Sequence, residues 1–274
     1  MKSMPEHQWF IYQPQFGYPG EKGIPGAENL FTEVTSPNLD IDVQIIACHI
    51  QEEAPKTIDQ RLKTFRYPIV WMEFWPVNVP NPEGKVYPLI YTCKSMPPSY
   101  PKKRHVWIRP DPDLWRKEWI GDKKIVLVPV HRGSTPYYLK LQIEMQKNGI
   151  AYNSVFGYRN KDWNDWQDLL IHSRLLIEPQ PKPSSEIMAE MLWIGGPCMC
   201  LNYADLPEML GPGGQLLRQP EVDIQFIKTL SDDYDEAKRY GKEGQKHIHK
   251  LLDIDHQRKV FNDSFKEAIE VGGF

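Results

Sequence analysis

Apolar positions along the chain follow two rhythms. In the first part they come as short runs rich in β-branched and aromatic residues: QWFIYQ (Gln8–Gln13), DVQIIACHI, YPIVWMEFW, VYPLIYTCK and RHVWIRPDPDLW (Arg104–Trp115). Each predicts a strand, the last one running into a Pro-Asp turn. From Lys123 onward strand-like runs alternate with stretches of helical period. KKIVLVPV predicts a strand, HRGSTP a turn, and YYLKLQIEMQKNG an amphipathic helix stopped by glycine. AYNSVFGY, RLLIEP and PCMCLN predict further strands; DWNDWQDLLIHS, SEIMAEMLWIG and ADLPEML predict the helices between and after them. DIQFIKTL, DDYDEAKRYGKEGQKHIHKLL and DHQRKVFNDSFKEAIEV predict a helical C-terminus, with Val260, Phe261, Phe265 and Ile269 on one face of its last segment.

The alternation from Lys123 to Asn202 predicts a parallel sheet with helices on both faces. The opening also reads as strand, glycine-rich loop (PQFGYPGEKGIPG) and helix (AENLFTEV), the first unit of an α/β nucleotide-binding domain. Two α/β halves are therefore expected, divided near Trp119–Lys123: residues 1–120 and 121–256, followed by a last helix, 257–274. Ligands of such sheets lie outside the carboxyl ends of the strands, which places the expected site in a cleft between the halves.

Composition changes this picture little. The 274 residues carry a formal net charge of −3, with 41% hydrophobic and 25% charged, ordinary for a globular protein. No stretch approaches the roughly 20 apolar residues that span a bilayer, and MKSMPEHQWF has no apolar core of a secretory signal. A cytoplasmic protein is expected, its four cysteines buried and reduced; Cys198-x-Cys200 lacks the spacing of a zinc knuckle or a redox pair. Asp111-x-Asp113 reads as a turn, and no His, Cys and carboxylate cluster predicts a metal site. Locally, Lys94, Lys102, Lys103, Arg104 and Arg109 form a basic run with Tyr100 and Trp107 interleaved. Such a run suits a solvated face or a polyanion such as DNA.

The densest chemistry lies in EPQPKPSSEIMAEMLWIGGP, Glu178 to Pro197. Ser184 and Ser185 stand at the predicted helix start, where a hydroxyl either caps the helix or donates to a phosphate. The backbone N–H groups of Glu186 and Ile187 point the same way. Glu186 and Glu190 share one helix face. Glu190, one turn in, is placed to accept both hydroxyls of a ribose.

From Lys123 to about His249 the order of these features resembles the C-terminal domain of GT-B glycosyltransferases, in particular the retaining, nucleotide-sugar-dependent type. There a helix carrying EAMACGTPVV is followed by a strand and then by g-x-x-E-x-x-x-x-G-G-x-L. This chain has EMLWIGGPCMC followed by NYADLPEMLGPGGQLL. Upstream, VLVPVHRGSTPYYLK supplies Arg132 and Lys140 where the family keeps an arginine and a lysine that neutralise the nucleotide diphosphate. The Arg132–Lys140 spacing is longer than usual. In the first half, PGEKGIPGAENLFTEV resembles the family's glycine-rich loop, with Gly23 and Gly26 close to donor and acceptor, and LIYTCKSMPPSYPKKRHVWIRPDPDLWRKE resembles the segment ending in vIpNGvDxxxF. His49 ends a predicted strand and corresponds to a histidine near the donor sugar.

The resemblance implies a GT-B fold, two Rossmann-like domains facing a cleft with the C-terminal helix crossing back onto the first. It implies a glycosyltransferase moving a sugar from a nucleoside diphosphate sugar, as co-substrate without a further cofactor, to an acceptor hydroxyl. Some phage members act on hydroxymethylated bases in DNA, and the basic run Lys94, Lys102, Lys103 and Arg104 would suit that acceptor; a small molecule or glycan is the other choice. Catalytic and donor-binding roles fall on Arg132, Glu190 and His49, and on Gly23, Gly26, Lys140, Lys182, Ser184, Ser185, Glu186 and Ile187. One departure stands out. The family has two glutamates with seven residues between them, the first on the sugar and the second on the ribose. Glu178 and Glu186 have that spacing, but counting back from Gly196-Pro197 makes Glu190 the ribose acid and puts Lys182 at the sugar acid's place. A non-catalytic module of the same fold, binding nucleotide sugar or nucleic acid, is the alternative that this departure supports.

Overall fold

The computed structural model describes residues 9–12, 43–48, 69–73, 85–107, 110, 115–130, 135–156, 163–182 and 185–272. The chain forms two units. One comprises Met1–Trp107 together with Asp253–Phe274, the other Ile108–Leu252.

The first unit holds strands β1 (Trp9–Tyr12), β2 (Val43–Cys48), β3 (Ile69–Glu73), β4 (Leu89–Tyr91) and β5 (Lys103–His105). They pair in sequence order, every neighbour parallel. The final helix (Ile254–Gly272), called α7 below, returns to this unit and packs on β2, β3 and β4. Its apolar face explains why: Val260, Phe261, Phe265 and Ala268 are buried, with Phe261 and Phe265 edge to face at 6.1 Å. Across the junction Val70, Leu89 and Ile90 are fully buried. Glu267 of α7 takes Lys102 at 3.0 Å and Arg104 at 2.6 Å, so the edge strand β5 is tied to the helix by charge as well as by packing. The glycine-rich loop, the AENLFTEV helix and the Asp111/Asp113 turn lie outside the described residues.

The second unit is a five-stranded parallel sheet built from β6 (Lys123–Val130), β7 (Tyr152–Phe156), β8 (Ser173–Glu178), β9 (Cys198–Leu201) and β10 (Gly214–Leu217). The spatial order is β7-β6-β8-β9-β10, all parallel. Numbered within the unit this is 2-1-3-4-5, the doubly wound order whose direction reverses between its first and third strands. Between the strands run α1 (Pro136–Lys147), α2 (Trp163–His172), α3 (Glu186–Ile194) and α4 (Leu206–Leu210); α5 (Pro220–Asp232) and α6 (Tyr234–Leu251) follow β10. Local chemistry sets the helix ends. Thr135 caps α1 by accepting Tyr138 N–H, with Pro136 in the first turn; Asp233 caps α6 by accepting Glu236 N–H at 3.0 Å.

Every residue of β8 is buried, as a central parallel strand covered on both faces requires. Among the described residues β10 is an edge strand, and the sequence pattern did not anticipate it. The division expected near Trp119–Lys123 falls inside the second unit, because Trp119 is a core residue there. Its indole donates to Ser173 O at 2.7 Å, its N–H donates to Ile194 O at 2.8 Å, and its ring stacks on Tyr234. Arg174, only 4% exposed, donates to the carbonyls of Gly121 and Ser231 and fixes the same corner.

Helix α6 lies against the turn that ends α3. Gly195, at φ +93°, is the left-handed cap of α3, a conformation that favours glycine. Gly241 of α6 meets its carbonyl so closely that a Cβ there would sit 2.0 Å from Gly195 O. Gly241→Ala must push the helix off this backbone, and is expected to cost about 1–3 kcal/mol of stability. Denaturant unfolding of the variant against the parent measures it.

Candidate functional site

The order reversal between β6 and β8 marks the edge of the second sheet where ligands of doubly wound folds bind. The two strands that flank the reversal, β6 and β8, lead on into α1 and α3. Residues 131–134, which include Arg132, lie outside the described residues, as do Gly23, Gly26, His49 and Ser184. Lys140 is exposed in the second turn of α1.

The β8–α3 passage is the best defined. Strand β8 ends on Glu178, whose side chain is fully buried. Lys182 Nζ lies 3.0 Å from Glu178 Oε2, and Ser185 Oγ donates to the same oxygen at 2.9 Å. Burial pushes the Glu178 carboxyl above its ordinary range, while Lys182, Ser185 and the Gln180 backbone pull it back. Its other oxygen, Oε1, is buried with no hydrogen-bond partner among the described residues. Ser185 also caps α3, accepting Met188 N–H at 3.3 Å. With its proton on Glu178 and a lone pair on Met188, its hydroxyl is committed to capping rather than to donating outward. The first hydrogen bond within α3 runs from Ala189 N–H to Ser185 C=O at 3.0 Å, so the N–H groups of Glu186 and Ile187 precede the helical ladder. Glu186 is exposed at the first turn; the Ile187 side chain is buried.

Glu190 is half-buried one turn further on. Its Oε2 accepts the Trp166 indole N–H at 3.2 Å, and Trp115 supplies a second side-chain hydrogen bond. Trp166 is 1% exposed in α2 and Trp115 is buried. Burial raises the Glu190 carboxyl to about 8, the neighbouring Glu186 charge adds to the rise, and the indoles oppose it. At neutral pH this acid therefore holds its proton much of the time. It can donate as well as accept, which the ordinary carboxylate cannot.

A third arrangement braces the same edge. Asp223, fully buried in the first turn of α5, accepts the Tyr137 hydroxyl at 2.7 Å and Arg218 N–H at 2.8 Å. It joins the start of α1 to the chain leaving β10. Burial, then the bond to Asp223, drive the Tyr137 phenol far above its usual value, so it stays a donor.

Sequence reasoning brought forward Lys182, Ser185 and Glu190, and the fold places them along one loop and helix start. It passed over Glu178 as a strand end and missed Trp115, Trp166 and the Tyr137–Asp223 pair. Only a buried-strand pattern closing on an acid, LLIE, carried a signal for Glu178. The basic run sits differently from expectation. Lys102 and Arg104 are paired with Glu267, and Lys103 Nζ donates to Pro98 O at 2.8 Å, whereas Lys94 is exposed. Lys102, Lys103 and Arg104, all considered for nucleic acid, thus face partners within their own unit. No group of three His, Cys, Asp or Glu side chains among the described residues could hold a metal ion, and no described helix is long and apolar enough to cross a membrane.

No protein-family model matches the chain, and no curated protein matches it in sequence. Solved structures do match it in fold. Sucrose-phosphate synthase from Thermosynechococcus elongatus superposes with a TM-score of 0.58 at 11% identity, covering 82% of this chain and 74% of that one. HepE from Anabaena, in complex with UDP-glucose, gives 0.51 at 12% identity over 94% and 99% of the two chains. AviGT4, a glycosyltransferase involved in avilamycin A biosynthesis, gives 0.51 at 12% over 85% and 76%. These neighbours are GT-B glycosyltransferases, and the chain has that α/β architecture.

The Glu190 carboxyl sets a pH dependence whose sign is fixed. The folded chain keeps a proton at Glu190 that the unfolded chain releases above its ordinary value of 4.5, so stability from this group falls as pH rises from 4.5 to about 8. Glu190→Gln removes the loss. The variant is expected to gain on the parent steadily across that window and no further above it, as read from denaturation midpoints in a pH series.

Proposed function

We propose that this chain is a glycosyltransferase that moves a sugar from a nucleoside diphosphate sugar to an acceptor hydroxyl. The observation that carries the reading is the β8–α3 passage: at the order reversal of a 2-1-3-4-5 parallel sheet, a helix start is followed one turn later by Glu190. The N–H groups of Glu186 and Ile187 and the positive end of α3 suit a diphosphate. Glu190 takes the ribose hydroxyls with the lone pairs that its indole partners leave over. Arg132, which follows β6 in sequence, and Lys140, on α1, are assigned to neutralising the leaving diphosphate. Lys182 occupies the place of a sugar-contacting acid.

In the step itself the bond from the sugar's anomeric carbon to the diphosphate oxygen breaks, and its electron pair leaves with the phosphate. The acceptor oxygen bonds to that carbon and gives up its proton. In a retaining reaction the leaving phosphate oxygen accepts that proton, so no dedicated carboxylate base is required. The acceptor we propose is a hydroxyl of a small molecule or glycan rather than a base in DNA. Supporting this is the internal pairing of Lys102 and Arg104 with Glu267, which spends the charge that a phosphate backbone would need.

A panel of UDP, ADP and GDP sugars, read by thermal shift and then by release of the diphosphate, tests the reading. One donor class is expected to raise the melting temperature, since a ligand at a hundred times its Kd adds about 2.7 kcal/mol to stability. Arg132→Ala should weaken that shift by about tenfold in affinity, as loss of one hydrogen bond to a charged group implies, and Glu190→Ala by about fivefold, the scale of one neutral hydrogen bond. A panel without binding or turnover overturns the proposal; binding without turnover favours a non-catalytic module.

A further inference from the structure

The Glu178–Lys182 pair is an odd way to end a strand. Glu178 has no exposed surface, and the Lys182 side chain is 16% exposed, so both charges have left most of their water. Such a pair stabilises little, because desolvation offsets the attraction. Lys182 also sits beside the start of α3, where the helix dipole repels a cation. A long flexible lysine in that position would gain by turning out to solvent, and the buried acid prevents it. The same carboxylate oxygen takes the Ser185 proton at 2.9 Å, which turns the Ser185 lone pair onto Met188 N–H. One carboxylate therefore fixes both a cation and a helix cap at the edge of the sheet where the order reverses. Glu178 Oε1 is left buried without a partner among the described residues, a cost that packing alone does not explain.

We infer that Glu178 is a positioning residue: a buried counter-charge that holds Lys182 in place for an anionic group at the start of α3. It touches no substrate. Its effect passes through the Lys182 ammonium. This rests on the glycosyltransferase reading, with the donor's diphosphate as the anion.

The test is a double-mutant cycle on the full chain, with affinities for UDP, ADP and GDP measured in parallel by calorimetry. Glu178→Gln keeps the shape and the Ser185 bond but removes the charge. It is expected to weaken the best of the three ligands about tenfold, the scale of one charge-assisted contact. Lys182→Met should lose a similar factor, and the double variant should bind no worse than Lys182→Met. Glu178→Asp, which restores the charge, should recover part of the loss. Amine labelling of Lys182 without ligand gives a second readout: freed from its counter-charge in Glu178→Gln, Lys182 should react faster. Wild-type affinity in Glu178→Gln overturns the inference. So does a loss of full size in the Lys182→Met background, since the acid would then act on the structure generally. If the wild type binds none of the three nucleotides, the glycosyltransferase reading fails and takes this role with it. Failure of Glu178→Gln to matter in a protein that does bind removes the role alone.

Discussion

Strand β8 is buried along its whole length, so whatever ends it ends in the protein interior. The chain ends it with a carboxylate, and much of the candidate site follows from answering that charge. Lys182 folds back to it, Ser185 donates a hydrogen bond to it, and the cap that starts α3 is set by the same hydroxyl. The helix start, with its N–H groups and positive dipole end, is thus placed relative to the sheet by chemistry at one side chain, not by loop length alone. Glu190 then rides on α3 at a fixed distance along the helix, and its tryptophan partners reach it from α2 and from the segment before β6.

Two other acids show the same economy. Asp223 joins two helix starts through one buried carboxylate, and Glu267 draws two cations of an edge strand onto the last helix. In each case an acid from one element organises donors from another. Burial raises the Glu178 and Glu190 carboxyls but is outweighed at Glu267, where two cations hold the group below its ordinary value.

Local pattern made much of the second unit legible before any coordinates. KKIVLVPV and RLLIEP read as strands, SEIMAEMLWIG as a helix with Ser184 and Ser185 at its start, and the alternation predicted the parallel sheet. What stayed hidden was non-local. β10 is four residues, GQLL, too short to show a period, and it becomes a strand only because β9 offers a parallel edge. The division was drawn near Trp119–Lys123 because the second α/β series starts there, yet the Trp119 ring stacks on Tyr234, far along the chain. The basic run looked unopposed because its acid, Glu267, lies on the helix that comes back from the other end. The indoles on Glu190 and the role of Glu178 were invisible for the same reason: spacing in sequence reports neighbours on one element, and these contacts join several.

The return of α7 to the first unit has a consequence for how the molecule is made. The second unit is one uninterrupted stretch, Ile108–Leu252, whereas the first is split around it. As the chain leaves the ribosome, the second unit has everything it needs once Leu252 has emerged. The sheet of the first unit must wait, with the face that Phe261 and Phe265 will cover still open to water, until α7 follows. Strands translated before the second unit thus belong to a unit completed after it. For that interval the nascent chain carries an exposed apolar sheet face, the kind of surface on which chaperones act.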